Sequence, residues 1–135
     1  MTRKQSRDLA FKLIYQMGIQ KEEPDVILEI CFEENTIDEK SKEYIEKAVK
    51  GVAQNIAEID EHIKNNSEGW NINRISRLAI SALRLAIFEI LYCDDIPDTV
   101  AINEAVDLTK LYEGEEAAGF VNGILATVLK TKGTN

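Results

Sequence analysis

From Gln5 to Lys130 apolar residues recur three and four positions apart, and only Pro24 and Pro97 interrupt the pattern. That spacing gathers side chains on one face of an α-helix, whereas a half-buried strand requires alternation. No segment alternates over a strand's length, so the expectation is an all-α protein. The segment from about Ser76 to Tyr92 constrains the fold most. It places Leu78, Ala79, Ile80, Ala82, Leu83, Leu85, Ala86, Ile87, Ile90 and Leu91 nearly all round the helix. A helix apolar on every side is central, with others packed about it. Its polar exceptions Arg77, Ser81 and Arg84 share one narrow stripe, and Arg84 is expected to bridge to a neighbouring helix.

Turn and cap residues divide the rest. A first helix is expected from about Gln5 to Met17, stopped by Gly18. Pro24 opens a short second helix that reaches about Glu33. Asp38 is placed to cap a long third helix, with Ile45, Val49, Val52, Ile56, Ile59 and Ile63 on one face as far as about Lys64. The segment Asn65-Asn66-Ser67-Glu68-Gly69 then breaks it. That break is the expected boundary between an N-terminal bundle, residues 1–66, and a C-terminal bundle, residues 67–135, which together form one globular unit. Beyond the Ser76 helix, the turn from Asp94 to Thr99 starts a helix from Val100 to about Tyr112, and Gly114 ends it. A last helix spans about Glu115 to Lys130, and Thr131 to Asn135 are expected to fray. The sum is two packed helical bundles with about seven helices.

A chain of 135 residues buries about two thirds of the surface it exposes when unfolded. It therefore needs neither disulfide nor metal to fold. Cys31 and Cys93 both fall in apolar helical patterns and read as free, buried thiols of a reducing compartment. No apolar leader opens the chain and no run nears the ~20 residues of a membrane span, so the expected location is cytoplasmic.

The net charge of -8 disfavours contact with phosphates when taken alone. The distribution alters that conclusion. Arg3, Lys4, Arg7 and Lys12 against Asp8 leave residues 1–12 at +3, and the remainder at -11. Charges further apart than roughly 8 Å are largely screened at physiological salt. A local basic segment can thus meet RNA while the acidic remainder attracts a basic partner protein. On a helical wheel, Leu9, Leu13, Met17, Ala10 and Ile14 form the expected buried face. Arg7, Phe11, Lys4 and Tyr15 lie on its flank, with Arg3 one turn before Arg7. Cations interleaved with rings suit single-stranded RNA, which presents phosphates and unstacked bases. A solvated helix start, with Phe11 and Tyr15 at the core edge, is the plainer alternative. Three or four phosphate contacts give a salt slope of only roughly -2 to -3, so a partner that adds contacts is expected.

Enzyme motifs are missing. The chain has no glycine-rich phosphate loop, and His62 is its one histidine, which argues against a histidine-based zinc site or triad. Glu58 and His62 are four apart, not the three that a di-iron bundle site uses, and read as a solvent-facing pair. No cofactor is expected.

Several blocks in the second half have a specific order and spacing. They are Leu83-Arg84-Leu85-Ala86-Ile87-Phe88-Glu89-Ile90-Leu91, then Asp95-Ile96-Pro97, then Val100-Ala101-Ile102-Asn103-Glu104-Ala105-Val106, and last Phe120-Val121-Asn122-Gly123-Ile124-Leu125. With the opening Arg3-Lys4-x-Ser6-Arg7-x-x-Ala10-x-x-x-Ile14-Tyr15, they resemble the NusB family of transcription antitermination factors over nearly the whole chain. The likeness is weakest between residues 19 and 65.

The resemblance implies a protein that is not an enzyme. It would bind boxA-type single-stranded RNA together with NusE, a small-subunit ribosomal protein. It would join other Nus factors on RNA polymerase and promote processive transcription of ribosomal RNA operons. Arg3, Lys4 and Arg7 match the family's arginine-rich segment and would contact RNA, although Gln5 interrupts the run. Tyr15 matches the segment's closing tyrosine and would lie near NusE, or else close the core edge. Glu116 holds an acidic position at the implied RNA–NusE junction, or caps a helix dipole. Phe120 would stack on a base or pack in its bundle; Asn122 would hydrogen-bond RNA or tie two helices. Asn103 and Glu104 read as a buried polar contact. Two other readings carry different functions. Some RNA cytosine methyltransferases have a NusB-like domain, but also a catalytic domain whose glycine-rich cofactor site these residues lack. A homodimer, as some relatives form, would be structural or would hide the RNA surface.

Overall fold

The computed structural model describes residues 1–70 and 75–132. Among them are seven helices and no strand: α1 (Arg3–Gln20), α2 (Pro24–Glu34), α3 (Glu39–Gln54), α4 (Ile56–Asn65), α5 (Arg77–Tyr92), α6 (Asp98–Glu113) and α7 (Glu115–Lys132). The all-α expectation holds. None of the described helices is long and apolar enough to cross a membrane. The chain forms two compact units, Met1–Gln54 and Asn55–Asn135, so the division falls earlier than the Asn65–Gly69 segment. The expected single third helix ends at Gln54, and α4 starts afresh at Ile56. Asn55 lies between them with φ -113° and ψ 18°, off the helical path. Asparagine competes for backbone hydrogen bonds through its own side chain, which makes it a poor helix interior residue.

In the first unit α1 and α2 both pack on α3. Ala10, Phe11, Ile14, Ile27, Ile45, Val49 and Val52 are each at most 2% exposed. Each large aliphatic or aromatic side chain among them contributes about 1.5–3 kcal/mol by leaving water. Helix α1 departs from the expectation at both ends. It begins two residues before Gln5, because Thr2 and Gln5 form a capping box. The Thr2 hydroxyl accepts from the Gln5 N–H at 3.1 Å, and the Gln5 side chain accepts from the Thr2 N–H at 2.8 Å. It also runs past Gly18 to Gln20, and the left-handed residue that stops it is Lys21, at φ 53°. Asp38 caps α3 as expected, accepting from the Ser41 N–H at 3.2 Å.

In the second unit α5 packs on α4, α6 and α7, the central place its all-round apolar surface requires. Leu83, Leu85, Ile87, Ile90, Ile124 and Leu125 fill its core. Ser76 caps α5, its hydroxyl accepting from the Ala79 N–H at 3.0 Å. Arg84 does bridge helices, gripping Asp60 of α4. Gly114 ends α6 with φ 95°. Helix α7 continues two residues beyond Lys130. Its Lys132 ammonium donates to the Ile90 carbonyl at 2.7 Å and pairs with Asp98 at 3.1 Å, which holds the last turn in place. Residues 133–135 of the expected frayed tail lie outside the described residues. Asn103 is exposed, so the expected buried contact through Asn103 and Glu104 fails at Asn103; Glu104 is half-buried. Cys31 and Cys93 are both buried, and neither forms a disulfide.

Candidate nucleic-acid interface

The buried arc of α1 is rotated from the expected one. It comprises Ser6, Arg7, Ala10, Phe11, Leu13 and Ile14, while Leu9 and Met17 are half-buried. Two expectations are corrected by that rotation. Phe11 is 1% exposed and offers no ring to a strand. Arg7 is 4% exposed, so its guanidinium lies inside the fold instead of on the outer flank. Arg3, Lys4 and Gln5 are exposed, and Tyr15 is half-buried.

A ring does meet the cations, but it comes from another helix. The guanidinium carbon of Arg3 lies 4.4 Å from the ring centroid of Tyr44 on α3, and that of Arg7 lies 5.5 Å from the same centroid. Both distances fall within the range of cation–π attraction, which reaches to about 6 Å. Arg3 and Arg7 are four apart and so share one side of α1, which lets one ring serve both. Tyr44 itself is 8% exposed. Next to this cluster the start of α1 is fastened to the start of α3. The Met1 amino group pairs with Asp38 at 2.7 Å, and the Ser41 hydroxyl donates to Asp38 at 2.8 Å. Those two donors hold the Asp38 carboxyl well below the usual carboxylate range. Sequence reasoning missed Tyr44; an aromatic on the apolar stripe of α3 is read as core, and nothing local marks it as a partner of α1.

The second unit holds the other candidate residues. Phe120 is 7% exposed, and its ring meets Trp70 edge-on, centroids 4.8 Å apart and planes at 80°. Trp70 is 49% exposed. The two rings, with Ile75, Ser76, Glu113 and Glu116, line an open cleft of about 430 Å³. The ring face available for stacking there is Trp70, while Phe120 backs it. Trp70 was legible only as a lone tryptophan after a glycine turn. Glu116 is exposed and stands both in the first turn of α7, where a carboxylate complements the helix dipole, and on the cleft wall. Asn122 is exposed on α7 and does not line the cleft. Among the described residues no three metal-ligating side chains gather. Glu58 is exposed and His62 half-buried on α4.

Comparison with known proteins follows the same outline. The model of the NusB family matches residues 4–130. A transcription antitermination protein NusB from Acetivibrio thermocellus is 49% identical over 132 residues, covering 98% of this chain and 91% of that protein. The structure of T. maritima NusB superposes with a TM-score of 0.84 at 34% identity, covering 96% of this chain and 92% of that one. The structure of antitermination factors NusB and NusE in complex with double-stranded RNA contains a chain that matches with a TM-score of 0.83 at 30% identity. It covers 97% of this chain and 99% of that one.

Proposed function

The chain belongs to the NusB family, and from that premise we propose that it is a transcription antitermination factor that binds boxA-type RNA together with NusE. Its work is assembly and not catalysis. RNA and NusE each favour the other's attachment through a coupling free energy that is the same in both directions. The assembled pair joins other Nus factors on RNA polymerase and supports processive transcription of ribosomal RNA operons. On this reading the protein acts in the cytosol.

The observation that carries the proposal is the exposed Arg3–Lys4 pair on α1, with Arg3 laid over Tyr44, in a chain whose structural neighbour is held in a NusB–NusE–RNA complex. With Arg7 inside the fold, two cations of the arginine-rich segment remain at the surface. Two phosphate contacts on a single strand give a salt slope of about -1.4. Binding to RNA alone is therefore weak, and NusE supplies the remaining contacts. The acidic remainder of the chain, -11 outside residues 1–12, suits a basic partner. In the second unit Trp70, Phe120 and Glu116 offer a ring and a carboxylate to an unstacked base. Asn122 and Tyr15 are assigned to RNA and to NusE respectively on the family likeness.

A titration of labelled boxA RNA, single- and double-stranded in separate arms, tests the proposal with and without NusE. The expected result is weak, salt-sensitive binding to the protein alone and clearly tighter binding of the single strand with NusE. Equal affinity in the presence and absence of NusE would overturn it. Sedimentation of the free protein, run alongside, separates monomer from homodimer.

A further inference from the structure

We propose that Tyr44 is a positioning residue for RNA binding: its ring holds the Arg3 guanidinium in a fixed orientation at the surface, with Arg7 closing the same ring from within. The proposal rests on the RNA reading above and adds a residue that the arginine-rich segment does not contain. The first observation is geometric. One ring on α3 receives two guanidinium groups from α1, at 4.4 and 5.5 Å. The second is the gradient of burial. Arg7 is 4% exposed and Tyr44 8%, while Arg3 is exposed, so the stack leads from the core outward to a single accessible cation.

The third observation is that the backbone beneath Arg3 is fixed. The capping box of Thr2 and Gln5 sets the first turn of α1, and Asp38 and Ser41 anchor the chain just before it. A long arginine side chain in water samples many rotamers and loses that freedom on binding. An arginine already laid on a ring has lost most of it, and its planar fork stays turned toward the strand. Lys4 stands exposed on the same turn and adds a second positive charge there. The stack also explains how the first turn tolerates its cations. No acidic residue stands in that turn, where Arg3 and Lys4 oppose the helix dipole, and the electron-rich face of Tyr44 offsets part of that repulsion.

The test uses the full chain with boxA RNA and NusE at one fixed salt concentration. Tyr44→Phe keeps the ring face, and Tyr44→Leu keeps an apolar side chain in its place but removes the π system. Affinity for RNA is expected to stay within about twofold for Tyr44→Phe and to fall roughly three- to tenfold for Tyr44→Leu. In an Arg3→Ala background, Tyr44→Leu is expected to have no further effect, because the group it orients is gone. A purely structural role would lower affinity equally in both backgrounds, and that result overturns the proposal. If Arg3→Ala and Lys4→Ala weaken binding while Tyr44→Leu does not, the RNA reading stands and the positioning role fails. If neither Arg3→Ala nor Lys4→Ala weakens binding, the RNA reading at this face falls and takes the proposal with it. Should Tyr44→Leu fail to fold, the parent protein decides. The Arg3 δ-methylene protons must show an upfield ring-current shift by NMR, and unshifted resonances overturn the proposal.

Discussion

Arg84 grips Asp60 through two parallel hydrogen bonds, Nε to Oδ1 at 2.9 Å and a terminal guanidinium nitrogen to Oδ2 at 3.0 Å, so that α5 is tied to α4. Paired N–H donors matched to one carboxylate are stronger than a single-point ion pair. Both side chains keep some contact with water, at 22% and 42% exposure, which limits the effect. Arg84→Met is expected to cost about 1 kcal/mol. Arg84→Lys retains the charge but not the fork, and is expected to restore less than half of that loss. Urea denaturation of the three proteins checks the order.

Arg7 and Arg3 belong to one short segment but are expected to respond to alanine in opposite ways. Arg7 is buried with its guanidinium beside Tyr44, and its stem packs within the core of α1. Arg7→Ala therefore removes packing and a buried charged contact, and is expected to lower stability by about 2 kcal/mol. Arg3 is exposed, and Arg3→Ala is expected to change stability by less than about 0.5 kcal/mol. Thermal melts that ranked the two variants the other way round would contradict the rotated burial of α1.

The architecture was legible because it rests on local rules. The all-round apolar pattern of α5 forces a central helix, Ser76 and Asp38 cap where their types permit, and Gly114 stops α6 with a positive φ. The failures are of two physical kinds. At Gly18 and Asn55 a residue type allows more than one outcome, and packing elsewhere decides it. Gly18 stayed helical, while Asn55, which nothing in the apolar stripe marked, became the break. At the proposed RNA face the failure was rotational. A wheel fixes the relative angles of Arg3, Arg7 and Phe11 but not which arc the partner helix covers. The position of α3, and hence of Tyr44, is a tertiary fact with no local signature.

Lys21 offers a test of the true end of α1. It is an exposed lysine held at φ 53° and ψ 36°, in the left-handed region. A side chain with a Cβ is strained there and glycine is not. Lys21→Gly is expected to raise stability by about 0.5–1 kcal/mol, after the extra freedom of glycine in the unfolded chain is subtracted. Lys21→Ala keeps the Cβ and is expected to give no gain. If glycine destabilised the protein, the helix would end elsewhere, as the Gly18 expectation had it.

Tyr92 sets an alkaline limit on the second unit. Its ring stacks on Phe88 with centroids 5.7 Å apart, and its hydroxyl oxygen is shut off from water beside the Glu58 carboxylate. Burial first, and the nearby Glu58 carboxylate second, push the phenol from its ordinary 10.0 up to about 12. The folded protein thus keeps its proton where the unfolded chain has already lost it. Stability from this group is fully present below about pH 10 and declines as pH rises from there toward about 12. Tyr92→Phe removes the titration. It is expected to flatten the fall in melting temperature above pH 10. Melts of parent and variant between pH 7 and 11 check this, with the difference between them widening only at the alkaline end. A difference that stayed constant across that range would show that the Tyr92 phenol titrates alike in the folded and unfolded chain.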